Sequence, residues 1–341
     1  MAASSVKETI KTPPAFAALT DLVAARLGGE VLYATDDFFA EKENLIQPGR
    51  GIFITDKYTD RGKWMDGWES RRKRTPGHDW CVVKLATSGK IHGFDIDTNF
   101  FLGNHPPHAS IEGIQLNESD VVEDWDGLPW LEILPKSPLD AGSQNFYACS
   151  NQSVFTHIRL HIYPDGGVAR LKVYGEIFKQ WESVSPEALI DLAAAINGAK
   201  SIVCNDMFFS SMQNLIMPGR GVNMGDGWET KRNRTPGNMD WVIIKLATPG
   251  TIQKIIVDTA HFKGNYPDSC SIVACFAEND DQVLNNEVEK WQPVLSQQKL
   301  SADNIHEFDG ENSNQYFSHI RLQIFPDGGI SRLRLLGHKM K

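Results

Sequence analysis

Glu69 and Arg72 stand three residues apart in the run DGWESRRKRTPGHDW (residues 66–80), and Glu229 and Arg232 repeat that spacing in DGWETKRNRTPGNMDW (residues 226–241). An arginine presents a planar fork of N–H donors that fits a carboxylate. A neighbouring glutamate can accept N–H bonds from a urea-like group or carry a proton. The competing reading is a solvated charged loop pinned by Trp68 and Trp80. A second candidate is the segment DTNFFLGNHPPH (97–108), with Asp97, Asn104, His105 and His108; its counterpart DTAHFKGNYPD (258–268) carries Asp258, His261 and Asn265. A strand end running into a Gly-Asn-x-Pro loop is a common seat for functional side chains. Asp and Asn can equally cap such a loop by bonding its own backbone. His105 and His108 do not recur in the second segment, and no H-E-x-x-H pattern supports them as metal ligands.

Arg159 with Arg170, and Arg321 with Arg332, form a third set that could line a pocket between domains or subunits, or simply be strand arginines facing water. Arg50 and Arg220, in NLIQPGRG and NLIMPGRG, sit on a structural turn and could add to an anion site. No G-x-S-x-G elbow, P-loop or Rossmann fingerprint is present, so covalent serine catalysis, nucleotide hydrolysis and nicotinamide redox lose weight.

These motifs recur because the chain is a long tandem repeat. The offset between copies is 170 at Asn44/Asn214, 160 at Asp66/Asp226 and 162 at Thr156/Ser318. The drop of ten has one source: fourteen residues (52–65) precede Asp66, against four (222–225) before Asp226. A period of this length is a whole domain rather than a solenoid unit. We expect two homologous domains, 13–176 and 184–341. Each should open with one helix; in the second copy Ser185-Pro186 would start it and Gly198 stop it. Strands should follow. Residues 80–85 and 241–246 are short apolar runs rich in β-branched side chains. In each copy two alternating segments flank a Pro-Asp-Gly-Gly turn and read as a hairpin, aliphatic residues on one face and basic ones on the other. The expected fold class is mainly β, two tandem β-sandwiches of the jelly-roll, galactose-binding-like kind.

The 341 residues carry 34 basic and 43 acidic side chains, a formal charge of −9, which makes nucleic acid a poor partner. Five cysteines with no C-x-x-C pair argue against a disulfide framework or a thiolate zinc site and for a reducing compartment. With no apolar leader and no apolar run of about 18 residues, we expect a cytoplasmic protein without membrane association.

Taken together and doubled, N-L-I-x-P-G-R-G, D-G-W-E-[ST]-[KR]-R, D-T-x-x-F-x-G-N and H-I-R-L…P-D-G-G…R closely resemble the allantoicase family from about residue 28 to 337. The resemblance implies tandem jelly rolls, a homo-oligomer, and hydrolysis of allantoate to ureidoglycolate and urea in purine catabolism. For that reaction the expected acid/base set is Glu69, Asp97, His105, Glu229, Asp258 and His261. Arg72, Asn104, Arg159, Arg232, Asn265 and Arg321 are the expected substrate-binding set. No cofactor is expected, with a divalent ion left open. A non-catalytic ligand-binding protein, or an inactive relative, is the rival reading. His78 and His105 face Asn238 and Tyr266 in the other copy, and no histidine stands opposite His108. The two copies are therefore expected to be non-equivalent.

Overall fold

The structure, a computed structural model, describes residues 12–117, 119–288 and 290–341; the first eleven residues, read above as free of a leader, lie outside the described ones. The chain divides into two units, Met1–Phe178 and Lys179–Lys341. Each is a sandwich of antiparallel strands. In the second unit, Ile190–Asp191, Arg332–Gly337, Lys254–Asp258 and Ile305–Asp309 make one layer. Lys200–Cys204, Asp240–Gly250, Phe317–Phe325, Ser269–Cys275 and Gln292–Lys299 make the other. In the first unit the two layers share one continuous strand, Asp79–Asp97: its first part pairs with Val154–Tyr163 and its last part with Arg170–Ile177.

Alternation along the strands builds the core. Ile158, Leu160 and Ile162 from one layer, and Leu171 and Val173 from the other, are all fully buried. Intervening side chains point to the opposite side of each layer.

Two expectations need correction. The arms around each Pro-Asp-Gly-Gly turn do not form a hairpin: Val154–Tyr163 pairs with residues 79–90 and His108–Ile114, whereas Arg170–Ile177 pairs with residues 89–97 and Thr20–Asp21. The turn carries the chain across the end of the sandwich, from one layer to the other. Period-two alternation buries an aliphatic face equally well within one sheet or across two, so the pattern alone could not separate these cases. The leading helix is also absent. Residues 190–198 form the short strand Ile190–Asp191 and a 3-10 turn, Ala195–Asn197. The Asp191 carboxylate accepts N–H bonds from Ala193 and Leu335, and Asp21 does the same for Val23 and Val173. Backbone bonding to the last strand thus replaces helical bonding. Gly28 and Gly198 still end these turns at φ 115° and 108°. Asp280–Leu284 is the one α-helix among the described residues, and none of their helices is long and apolar enough to cross a membrane.

Candidate active site

In each copy the repeated motifs meet at one end of the sandwich, and backbone bonds hold them there. In the first copy Trp68–Glu69 pairs with Gly167–Val168 on one side and bridges to Ala40 on the other. The Gly167 N–H donates to the Asn104 carbonyl at 2.8 Å, which docks the Gly-Asn loop onto that small ladder. Gly166, at φ 137°, must be glycine: a Cβ there would lie 2.5 Å from the Asn104 oxygen. The buried Trp68 indole donates to the Asp36 carbonyl at 2.8 Å, and the Asn44 amide donates to the Gly67 carbonyl at 3.1 Å. The second copy repeats these bonds through Gly329 and Asn265, Trp228 and Asp206, and Asn214 and Gly227, with distances of 2.8, 2.8 and 2.9 Å.

This assembly brings the expected Glu and Asn together. Asn104 Nδ2 donates to Glu69 Oε1 at 2.7 Å, and Asn265 Nδ2 donates to Glu229 Oε1 at 2.5 Å. Burial pushes the Glu69 carboxyl above the usual glutamate range, and the Asn104 bond opposes that rise only in part. Glu69 Oε2 has no partner among the described residues. A half-buried carboxyl with one oxygen anchored and the other open can hold and deliver a proton.

The other expected residues are committed differently. Asp97 receives Arg50 Nε and Nη2 at 2.7 and 3.0 Å and the Asn99 backbone N–H at 2.9 Å. Asp258 likewise receives Arg220, at 3.1 and 3.5 Å, and the Ala260 N–H at 2.8 Å. Both aspartates thus tie the P-G-R-G turn to the strand end. His261 Nε2 bonds the Gly221 carbonyl at 2.7 Å, the service that Asn99 Nδ2 gives the Gly51 carbonyl at 2.9 Å in the first copy. Phe100 and His261 occupy the same loop position at φ 66° and 69°. His105 is half-buried, and its Nδ1 is enclosed without a partner. Arg72 and Arg232 are exposed cations with no ion pair among the described residues.

Arg159 and Arg321 do not join the loop cluster. Arg159 lies between the Trp80 and Trp130 rings and pairs with Glu112 at 2.7 Å and Asp126 at 3.1 Å. Arg321 stacks over Trp241 and Trp291. Arg170 and Arg332 are buried against Asp66 and Asp226, at 2.8 and 2.7 Å. Because the flanking strands lie in opposite layers, their arginines cannot share one face.

One group of residues escaped the sequence reading. The longer 52–65 loop folds into the hairpin Tyr58–Thr59/Gly62–Lys63 and walls a cleft of about 360 Å³ with Phe38, Phe39, Glu41, Asp60, Arg61 and Trp64. Ala40, which also lines it, bridges through its backbone to Glu69, while the Glu69 and Asn104 side chains are not part of the cleft lining. Arg61 lies over the Phe38 ring and donates to its carbonyl at 3.1 Å. The ten-residue length difference between copies was the available signal. Among the described residues, no group of three or more His, Cys, Asp or Glu is arranged to hold a metal ion.

Comparison with known proteins places these features in a family. A family model described as an allantoicase repeat matches residues 20–178 and again 190–340. A probable allantoicase of Photobacterium profundum is 51% identical over 95% of this chain and 98% of its own length. A probable allantoicase of Burkholderia mallei is 49% identical over 93% and 94%. The crystal structure of allantoicase from Saccharomyces cerevisiae superposes with a TM-score of 0.79 at 38% identity, covering 94% of this chain and 93% of that one. With both repeats matched along nearly their whole length and half the residues shared with such relatives, this chain belongs to the allantoicase family.

Proposed function

We propose that this chain hydrolyses allantoate to ureidoglycolate and urea, and that the first copy carries the chemistry through Glu69 and Asn104. The observation that supports this reading is the half-buried Glu69 carboxyl, one oxygen held by Asn104 and the other without a partner among the described residues. Allantoate carries a carboxylate and two ureido arms on one carbon. Water's oxygen bonds to that carbon, and the bond to one ureido nitrogen breaks. The electron pair returns to the nitrogen, which takes a proton and leaves as urea. The protonated Glu69 Oε2 supplies that proton, and the proton lost by water restores it. The exposed guanidinium groups of Arg72 and Arg61 suit the substrate carboxylate. Asp97 serves as a positioning residue, since its carboxylate is committed to Arg50. No step is routed through a metal. Five free cysteines, four of them buried, support a reducing, cytoplasmic setting. The implied homo-oligomer belongs to the same proposal.

The test is urea release from allantoate by the purified protein and by Glu69→Gln, across pH and with and without EDTA. The wild type should release urea, EDTA should leave the rate unchanged, and the rate should fall on an alkaline limb above the ordinary glutamate range. Glu69→Gln should fold normally, lose about 10²–10⁴-fold in rate and lose that limb. Full turnover by the folded variant would end the acid role of Glu69. No urea from folded wild type would make the chain an inactive relative.

A further inference from the structure

The buried aspartate that opens the long strand of each copy has lost its cation in the second copy. In the first copy Lys73 Nζ donates to Asp79 Oδ1 at 2.5 Å, and the Thr35 hydroxyl donates to the same oxygen at 2.8 Å. In the second copy Asn233 stands where Lys73 was, and Asn205 where Thr35 was. The backbone is unchanged there: Lys73 N–H donates to Asp165 at 2.7 Å and Asn233 N–H to Asp327 at 2.9 Å. The side chain is shorter, and its amide turns to Asn238 at 2.9 Å instead of reaching Asp240. Asp240 is only 3% exposed. Its Oδ1 accepts from Asn205 at 2.8 Å and from Asn238 at 3.3 Å, while its Oδ2 is enclosed with no partner.

Beside it lies a cleft of about 620 Å³ lined by Asp206, Lys231, Arg232, Asn233, Arg234 and Asp240 among others. Neither Glu229 nor Asn265 lines it, so it is separate from the Glu–Asn pair of that copy. A buried carboxylate oxygen without a donor is costly, and a ligand N–H would satisfy it. Three cations on the wall, Lys231, Arg232 and Arg234, outnumber its two carboxylates, Asp206 and Asp240, and favour a ligand that carries an anionic group. The arginine forks suit a carboxylate.

We infer that this second-copy cleft is a binding site for a small carboxylate bearing ureido or amide N–H groups, the N–H facing Asp240 and the carboxylate facing Arg232 and Arg234. The site stands on its own geometry; naming a ureide as its occupant rests on the proposed reaction, whose substrate and product both have this chemistry. The second copy would then be a ligand-binding domain in its own right, apart from turnover in the first.

N-carbamoylglycine is a suitable probe, since it carries the carboxylate and one ureido arm but no second arm to expel. Its binding would be measured by titration calorimetry on wild type, Asn233→Lys, Arg234→Ala and Glu69→Gln. Glu69→Gln should keep the binding event that the cleft variants weaken, whatever the first copy adds to the wild-type titration. Asn233→Lys should recreate the Lys73–Asp79 pair, keep or raise Tm, and weaken binding at least tenfold. Arg234→Ala, which leaves the cleft floor intact, should weaken it similarly, so the result survives if the lysine variant folds poorly. Acetate alone and urea alone should each bind at least tenfold more weakly than the probe. Undiminished binding by both folded cleft variants, a loss in Glu69→Gln alone, or no binding by wild type would each overturn the assignment. Urea release from allantoate by wild type, measured in parallel, separates failure of this site from failure of the proposed reaction.

Discussion

The two copies share the bonds that hold their loops and differ in the side chains those loops display. In both, a buried tryptophan indole bonds the Asp36 or Asp206 carbonyl, a glycine N–H docks the Gly-Asn loop, and an asparagine amide bonds Glu69 or Glu229. Around this common frame the first copy has a fourteen-residue loop that walls a cleft, whereas the second has four residues there. The second copy has Asn233 in place of Lys73, on the wall of a different cleft. The lesson is that repetition of a motif marks the frame, while the departures from repetition mark where the copies can differ in function.

The sharpest way to break this comparison is the matched pair Glu69→Gln and Glu229→Gln. Urea release should fall about 10²–10⁴-fold for the first and stay within about threefold for the second. Equal losses would mean that both copies turn over substrate.

The next effect comes from Asp95, which Ile256 replaces in the second copy. Burial raises its carboxyl to about 7, with Gln144 donating to Oδ2 and Oδ1 left without a partner. Its folded pKa lies above the ordinary value of about 4. The stability it contributes is therefore complete below about pH 4 and is lost as pH rises to about 7. At about 1.4 kcal/mol per pH unit, the ceiling is about 4 kcal/mol. Asp95→Asn should flatten that part of the pH dependence in urea-denaturation curves; an unchanged slope would remove Asp95 as its source.

Smaller effects separate the two Arg–Asp pairs. Arg50→Met strands the Asp97 carboxylate, whose side chain is 2% exposed, and should cost about 3 kcal/mol of unfolding free energy. Arg220 is more open and its bonds to Asp258 are longer, so Arg220→Met should cost about 1 kcal/mol. A reversed order in chemical denaturation would contradict the tighter frame of the first copy. Exchanging residues 52–65 for the four residues 222–225 should leave both cores folded and lower kcat/KM about a hundredfold, about 2.7 kcal/mol. Unchanged kcat/KM would move the chemistry to a feature that both copies possess.

Much of this was legible in the residues. The doubling, the β-rich sandwiches and the family follow from motif types and their repeated spacing, whereas Glu69 and Asn104, and Glu229 and Asn265, were legible only as members of one candidate set and not as bonded pairs. Asp97 and Asp258 were visible as candidates, but their partners Arg50 and Arg220 lie 47 and 38 residues away in sequence. Nothing local says that those carboxylates are committed. Arg159 was read toward a pocket because alternation gives a face, whereas the aromatic and acidic groups that enclose it come from other strands and loops.

The sequence by itself determined the period, the alternation and the turn chemistry, because these depend on neighbours within a few residues. Only the tertiary structure decided that the two arms around each Pro-Asp-Gly-Gly turn lie in opposite layers, since alternation is equally satisfied within a sheet or across the core. It alone decided that residues 20–21 and 190–191 bond as edge strands instead of opening a helix, because the last strand of each unit offers them backbone partners. It alone also set the fate of each buried charge. Asp79 has a lysine and Asp240 has none, a difference of one side chain that matters because both carboxylates are cut off from water.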